Sequence, residues 1–389
     1  MIPAAYTFKN FDPKSVPSPC FVVDEVAIEN NLQVLADIQR QSGAKVLLAL
    51  KAFSFYHLAP LISRYLSGTC ASGLHEAKLG KEYFEGEVHT FCAAFKEQDL
   101  IETLATSDHV VFNSFNQWQR FKQHTRSAKQ KRPQLSYGLR VNPKHSEGTM
   151  AIYDPCAPCS RLGIPIDQLA KFDITGIDGV HFHTLCEQKY EPLSRTLDVI
   201  EKKLASILPH LKWVNFGGGH HITDPQYNRA ALIKRVKEFN QKYAVQVYLE
   251  PGEAVAINSG VLVSEVLDLT HNEKNLAILD TSATCHMPDT LEMPYRAEVF
   301  GAGQAKEKTF DYRLGGQTCL AGDVMGDYSF DQPLQLGQRL MFDDMAHYTM
   351  VKTTTFNGIN LPSIAVWNSV TNKVRLVKNF GYKNFKSRL

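Results

Sequence analysis

Eight short apolar runs recur through the first two thirds of the chain, and stretches with helical periodicity separate most of them. A run such as Val46–Leu50 is typical of a strand that is buried on both faces of a parallel sheet. The predicted strands lie at residues 45–50, 69–72, 88–92, 109–113, 135–141, 179–185, 213–216 and 246–249. The predicted helices lie at residues 25–41, 57–66, 75–84, 98–106, 116–129, 191–208 and 228–243.

This alternation over about 205 residues favours an α/β fold, a closed (β/α)₈ TIM-like barrel, over its rival, a doubly wound open sheet. Residues 142–178 contain several prolines and are predicted as a long loop. After residue 256 the pattern changes to strands without long helices, at residues 261–269, 276–279, 297–300, 339–342 and 364–366. We therefore predict a barrel over 25–255 and a C-terminal β domain over 256–389. The N-terminal segment 1–24, with a strand at 20–23, is expected to join that β domain.

Composition narrows the class of protein. The chain has 389 residues and a formal net charge of +2, which gives no reason to expect nucleic acid or an anionic membrane as a partner. The N-terminus lacks a signal-peptide pattern, and eight irregularly spaced cysteines suit reduced thiols in the cytoplasm. The single Cys156-x-x-Cys159 pair lacks the further ligands of a zinc site, so no metal is predicted.

Lys51 ends the first predicted barrel strand. Barrels of this kind place their chemistry at the carboxyl ends of the strands. Desolvation there would disfavour the ammonium form and release an amine that can form a Schiff base with an aldehyde. The alternative is an ordinary lysine whose charged end reaches into solvent.

Three further candidate site motifs lie at the ends of later predicted barrel strands. His181 and His183 alternate onto one face, and could be metal ligands, hydrogen-bonded core residues or a ring that packs on an aromatic cofactor. Gly217–Gly219 could let backbone N–H groups approach a phosphate, although tight turns use such runs too. Glu250 could be a general base, a salt-bridge partner or the partner of a protonated ring nitrogen.

The C-terminal part adds a glycine-rich run with Cys319 and Asp323, and a segment with Tyr348. Buried cysteines are usually inert, and Tyr348 could be a core residue as easily as a phosphate donor. Taken with the barrel signals, however, the chain offers an amine, a stacking histidine, a phosphate cradle and a carboxylate. These are the groups that pyridoxal 5'-phosphate requires of a protein.

In the order and spacing of these motifs, the chain resembles the fold-type III pyridoxal phosphate enzymes, and among them the decarboxylases of basic amino acids. The resemblance covers nearly the whole chain. The matching motifs are Leu50-Lys51-Ala52, Cys70-Ala71-Ser72, Leu139-Arg140-Val141-Asn142, His181-Phe182-His183, Gly217-Gly218-Gly219, Glu250-Pro251-Gly252, Cys319 to Asp323, Tyr348-Thr349 and Phe356-Asn357-Gly358.

A narrower resemblance is to the decarboxylases of carboxynorspermidine and carboxyspermidine, which make norspermidine and spermidine. It rests on residues 160–163, 183–187, 285–289, 294–296 and 318–323. The resemblance implies that Lys51 carries the cofactor and that Cys319, offered by the neighbouring subunit of a homodimer, donates a proton. The other cofactor residues that it implies are Arg140, His183, Gly217, Gly218, Gly219, Glu250 and Tyr348.

One position departs from the family pattern. Related decarboxylases commonly read Glu-Pro-Gly-Arg, whereas this chain has Glu253 as the fourth residue. A carboxylate there suits a small cationic carboxy-polyamine substrate, and Asp289 and Asp323 could add to its recognition. The alternative for Glu253 is a structural pair with a local lysine or arginine. The rival functions are diaminopimelate decarboxylase, whose second carboxylate calls for a cation, a non-catalytic regulator and, more distantly, a cofactor-independent hydrolase.

Overall fold

The structure, a computed structural model, describes residues 8–148 and 150–389. The described chain forms two compact units, one of residues 31–255 and one that joins residues up to Asn30 with Ala256–Leu389. No helix within the described ranges is both long and apolar enough to cross a membrane.

The strands and helices are as follows, in chain order. The strands are β1 Cys20–Asp24, β2 Lys45–Ala49, β3 Gly68–Ala71, β4 Glu87–Cys92, β5 His109–Phe112, β6 Ser136–Asn142, β7 Ile164–Pro165, β8 Gly179–His181, β9 Trp213–Asn215, β10 Gln246–Leu249, β11 Gly260–Asn272, β12 Lys274–Leu279, β13 Gly303–Gln304, β14 Phe310–Gly315, β15 Val324–Phe330, β16 Arg339–Phe342, β17 Ser363–Asn368 and β18 Lys373–Lys378. The helices are α1 Glu25–Ser42, α2 Ala59–Ile62, α3 Leu74–Tyr83, α4 Glu97–Thr106, α5 Phe115–Arg120, α6 Lys122–Lys131, α7 Ile166–Leu169, α8 Tyr190–Lys203, α9 Arg229–Tyr243, α10 Glu253–Ala256, α11 Ala283–His286, α12 Asp289–Glu292 and α13 Tyr382–Lys386.

The unit of residues 31–255 is a closed parallel barrel. Its strands run in the order β5, β4, β3, β2, β10, β9, β8 and β6, and β5 pairs with β6 to complete the ring. The eight predicted barrel strands and the barrel class are confirmed, and the closure excludes the open doubly wound sheet. The segment predicted as a loop over 142–178 contains β7, which adds to β6, and the short helix α7.

Two glycines in neighbouring strands make room for the indole ring of Trp213 inside the barrel. A Cβ atom at Gly138 would lie 2.8 Å from Cζ2 of Trp213, and a Cβ at Gly179 would collide with the same ring. The indole N–H of Trp213 donates to Oγ of Ser136 at 2.8 Å. Strands β6 and β8 therefore need glycine where β9 contributes its tryptophan.

The amino end of the barrel holds an unusual polar cluster. The rings of His89 and His109 stack with centroids 3.8 Å apart and planes 13° apart. Oε2 of Glu87 accepts hydrogen bonds from Nε2 of His89 and from the hydroxyl of Tyr248, both at 2.9 Å. Because a shared metal would have to lie in the plane of both imidazoles, parallel stacking is not the geometry of a ligand pair.

The second unit is built on a mixed sheet with the strand order β13, β15, β14, β12, β11, β1, β17 and β18, to which β16 adds by pairing with β11. Strand β1 pairs antiparallel with β11 and parallel with β17, so the N-terminal strand lies inside this sheet. The predicted strand at 297–300 is wrong, since only an isolated bridge joins Val299 to Phe342. Strands β13, β14, β15 and β18 were not predicted.

Candidate active site

Lys51 lies in the turn that follows β2, at the carboxyl end of the barrel. The turn is fixed on both sides, because Leu50 N–H donates to the carbonyl of Cys70 and Ala49 N–H donates to the carbonyl of Pro251, each at 3.0 Å. The predicted position at a strand end is therefore observed. The predicted burial is not, since the Lys51 side chain is exposed.

The segment after β10 packs directly on this turn. A Cβ atom at Gly252 would lie 2.5 Å from Cβ of Ala52 and 3.2 Å from Cβ of Ala49. Only glycine allows the two backbones to approach so closely. The Glu250-Pro251-Gly252 motif thus places its carboxylate on the same rim as Lys51.

Glu250 is a largely buried carboxylate with two polar partners. Its Oε1 accepts a 2.7 Å hydrogen bond from Nδ2 of Asn215, and its Oε2 lies 3.3 Å from Nε2 of His181. Burial alone would raise the pKa of Glu250, but His181 and the Asn215 hydrogen bond outweigh it and hold the pKa at about 2. The side chain is therefore ionised at neutral pH and can hold a proton on a ring nitrogen.

His183 is kept neutral in a fixed orientation. Burial lowers its pKa well below the usual range, and the nearby charges of Lys51 and Arg140 lower it further. Its Nδ1 accepts the N–H of Gly218 at 3.0 Å, so the proton lies on Nε2. Arg140 donates to the carbonyl of His183 at 3.4 Å and lies 4.5 Å above the Phe91 ring.

Arg140 stays cationic although it is buried. Burial lowers the pKa of its guanidinium to about 10, and the charge of Glu250 opposes that shift. The carboxyl end of the barrel therefore holds a buried cation and a buried anion that support each other.

The glycine run forms a close-fitting loop between strand ends. Gly217 and Gly219 have φ values of +71° and +84°, which favour glycine. The Gly217 N–H donates to Oδ1 of Asn215 at 2.8 Å, and the Gly218 N–H is used by His183. A Cβ atom at each position would press against a main-chain oxygen, those of Phe182, Glu250 and Leu185 in turn. The loop therefore packs tightly against the neighbouring strand ends, two of its N–H groups already have partners within the protein, and its phosphate role stays a prediction.

Glu253 pairs with a residue that the sequence did not single out. Its Oε1 lies 3.4 Å from Nε2 of His221, which comes two residues after the glycine run. The hydrogen bond to Glu253 raises the pKa of His221 against the effect of burial. Asn215, the partner of Glu250, was also missed; its only signal was its place at the end of β9.

The remaining predicted residues lie in the second unit. Asp323 is buried, and its two oxygens accept hydrogen bonds from Ser282, Thr284 and Thr318. These bonds hold the carboxylate in place, and the predicted role of Asp323 in substrate binding stays a prediction. Cys319 is exposed, and its N–H donates to Oδ1 of Asn357 at 2.8 Å.

Asp289 and Tyr348 lie close together in this unit. Oδ2 of Asp289 accepts a 2.9 Å hydrogen bond from the hydroxyl of Tyr295 and lies 3.2 Å from Oγ1 of Thr349. Tyr348 has a left-handed backbone with φ +45°. The predicted substrate role of Asp289 and the phosphate role of Tyr348 stay predictions.

The donor set at the barrel mouth could in principle hold either a metal ion or an organic cofactor. The ligand atoms of His181, His183 and Glu250 lie within 4.8 Å of one another, the spacing of a metal site. However, Nδ1 of His183 already accepts a backbone N–H, and Glu250 has Asn215 as its partner. An ionised carboxylate, a neutral imidazole and a strand-end lysine on one rim fit pyridoxal 5'-phosphate.

Comparisons with known proteins agree with this chemistry. Residues 20–346 match the family model described as "Pyridoxal-dependent decarboxylase, C-terminal sheet domain". A carboxynorspermidine/carboxyspermidine decarboxylase from Campylobacter jejuni is 44% identical over 386 residues, which cover 96% of this chain and 99% of the relative. A carboxyaminopropylagmatine decarboxylase from Synechocystis is 42% identical and covers 96% of both chains.

Solved structures give the same picture. The crystal structure of carboxynorspermidine decarboxylase from Campylobacter jejuni, complexed with norspermidine, has a TM-score of 0.88 at 43% identity and covers 96% of this chain and 100% of that one. A diaminopimelate decarboxylase from Helicobacter pylori has a TM-score of 0.77 at 15% identity, covers 97% and 98% of the two chains, and supports the fold alone.

Proposed function

Because the chain belongs to the pyridoxal-dependent decarboxylases, in the group of the carboxynorspermidine/carboxyspermidine decarboxylases, we propose that it removes CO₂ from these two carboxylated polyamines. The protein is a carboxy-lyase that uses pyridoxal 5'-phosphate. The products would be norspermidine and spermidine, which places the reaction in polyamine biosynthesis.

The proposed substrate class is inferred mainly from the carboxylate of Glu253 on the barrel rim. It lies three residues after Glu250, where the related decarboxylases that the sequence resembles have arginine. A carboxylate attracts an amine-bearing arm and repels a second carboxylate. This charge supports a polyamine substrate and disfavours diaminopimelate.

The protein residues divide the work at the barrel mouth. When bound, pyridoxal 5'-phosphate supplies the electron sink for the pair of electrons that departing CO₂ leaves behind. Lys51 would hold the cofactor through its amine, and ionised Glu250 would keep the ring nitrogen protonated. His183 would pack its neutral ring on the cofactor, beside the cation of Arg140. The glycines 217–219 and Tyr348 would bind the phosphate.

The last step needs a proton at the α-carbon. We assign it to Cys319 or to Lys51, with Cys319 offered by the second subunit of a homodimer that shares its active sites. The exposed position of Cys319 supports this assignment, because its thiol is open to another chain. All eight cysteines are free thiols, which supports a cytoplasmic enzyme.

A second candidate substrate is carboxyaminopropylagmatine. The Synechocystis decarboxylase of that name is 42% identical to this chain, close to the 44% of the Campylobacter jejuni relative. A guanidinium-tipped arm is also cationic, so Glu253 does not separate it from carboxyspermidine. Carboxynorspermidine and carboxyspermidine differ by one methylene, worth only about 1–3 kcal/mol in a pocket.

One experiment tests both the cofactor and the substrate. We expect the purified protein to be yellow and to form an adduct with borohydride that Lys51→Ala abolishes and that Lys81→Ala, an exposed lysine of α3, retains. CO₂ release is then compared for carboxynorspermidine, carboxyspermidine, carboxyaminopropylagmatine, diaminopimelate, ornithine and arginine. Colourless protein that takes up no cofactor, or faster turnover of diaminopimelate, would overturn the proposal.

A further inference from the structure

The loop that carries Cys319 is tied down by one buried carboxylate. This loop, residues 316–323, connects β14 to β15, and Asp323 at its end is only 4% exposed. The hydroxyl of Thr318 donates to Oδ2 of Asp323 at 2.7 Å, and the Thr318 N–H donates to the same oxygen at 3.1 Å. The residue immediately before Cys319 is therefore fixed through both its backbone and its side chain.

The same carboxylate joins the loop to α11. Oγ of Ser282 lies 3.0 and 2.9 Å from the two oxygens of Asp323, and the Thr284 N–H donates to Oδ1 at 3.2 Å. Ser282 also caps α11 by accepting the N–H of Cys285 at 3.0 Å. A Cβ atom at Gly316 would lie 2.7 Å from Cγ of Asp323, so the loop begins with a residue that leaves room for this carboxylate.

A second support reaches Cys319 from the other side. Oδ1 of Asn357 accepts the Cys319 N–H, and Asn357 adopts a left-handed backbone with φ +57°, which asparagine tolerates better than most residues. Helix α11 also holds this segment, because the carbonyl of Cys285 accepts the N–H of Thr354 at 2.8 Å and Nε2 of His286 lies 3.0 Å from the carbonyl of Asn360.

We infer that Asp323 and Asn357, anchored on α11, form a clamp that positions Cys319 for proton transfer. Neither residue needs to touch the substrate, so both are positioning residues. Aspartate is required at 323 because a carboxylate has only acceptor oxygens, and the surrounding groups of Ser282, Thr284 and Thr318 all donate. This inference rests on the proposed role of Cys319.

The variant Asp323→Asn keeps the shape but replaces one acceptor oxygen by an N–H₂ donor, which then faces other donors. We expect kcat to fall by about tenfold or more while KM changes less than about twofold, because the loss affects a step after binding. Hydrogen exchange of the holoenzyme should be faster at the amides of residues 316–323. Asp327→Asn, which changes a half-buried aspartate of β15 that pairs with Arg313 and Lys274, is the matched control and should leave both measurements unchanged.

The decisive comparison is the same substitution in a Cys319→Ala background. If Asp323 acts through Cys319, the second substitution should change kcat by less than about twofold there. An equal loss of kcat in both backgrounds, or unchanged exchange of residues 316–323 in Asp323→Asn, would overturn the clamp. Exchange requires no substrate, so it tests the clamp even if the wild-type protein releases no CO₂ from any of the proposed substrates.

Discussion

The polar cluster at the amino end of the barrel should make the protein sensitive to acid. His109 stacks on His89 and lies 5.0 Å from the ring of Trp213. Its Nδ1 is buried and has no hydrogen-bond partner among the described residues. Burial, together with the charge of His89, lowers the pKa of His109 to about 2.

The size of the effect follows from linkage. The pKa of His109 is lower in the folded protein than the value of about 6.5 expected in the unfolded chain, so the unfolded chain binds the extra proton. The contribution to stability is complete above pH 6.5 or so and is lost as the pH falls toward the folded value. Between pH 8 and pH 5, the loss amounts to about 2 kcal/mol of the free energy of unfolding.

The assay is urea unfolding of the holoenzyme, followed by tryptophan fluorescence at several pH values between 5 and 8. The variant His109→Phe keeps an aromatic ring in the stack but cannot titrate. Between pH 8 and pH 5, the wild type should therefore lose about 2 kcal/mol more of its free energy of unfolding than the variant does. Val111→Ala, two residues along β5, removes buried volume without a titrating group and should cost the same at every pH. If wild type and His109→Phe lose stability in parallel, the buried neutral histidine is not the cause.

Two further predictions concern the barrel mouth. In Gly218→Ala, the new Cβ would press against the carbonyl oxygen of Glu250, so we expect weaker cofactor binding. Absorbance titration should give a higher Kd for the cofactor than in the wild type. An unchanged Kd would show that the loop can adjust to the added methyl group. In the wild type, His221 becomes protonated as the pH falls and then neutralises the charge of Glu253, so the KM for a polyamine substrate should rise at acidic pH. The variant His221→Gln should weaken this pH dependence of KM. An unchanged pH profile in the variant would refute the role of the pair.

The barrel could be predicted because each of its strands carries an apolar core that is buried in the structure. Two of the strands that were missed in the second unit, β14 and β18, lack such a core, and in β15 the buried residues are separated by Gly326 and Asp327. Strand β18, for example, alternates lysine, arginine and apolar residues and is largely exposed, and β14 buries only Leu314 fully. Pairing with neighbouring strands stabilises such segments, and this contribution does not appear in the local sequence.

The positions of Lys51, His183 and Glu250 on one rim could be predicted from the sequence, but the hydrogen-bond partners of the candidate residues could not. Lys51, His183 and Glu250 each follow a predicted barrel strand. Because the carboxyl ends of barrel strands lie at the same end of the barrel, the three residues were expected on one rim. The hydrogen-bond partners of Asp323 could not be predicted, because they include Ser282 and Thr284, about forty residues away in sequence. Only the folded chain shows that its oxygens are already occupied.

The two rim carboxylates, three residues apart, differ in what controls their charge. Glu250 has a pKa near 2, so its charge is constant between pH 6 and pH 9. Glu253 faces His221, whose pKa is raised by the hydrogen bond to Glu253 and by the charges of Glu187 and Asp224, so the net charge of the pair changes when this imidazole titrates. Cofactor protonation should therefore be insensitive to pH over a range in which attraction of a cationic substrate is not. The substrate contact proposed for Glu253 would then be adjustable by pH without disturbing the cofactor.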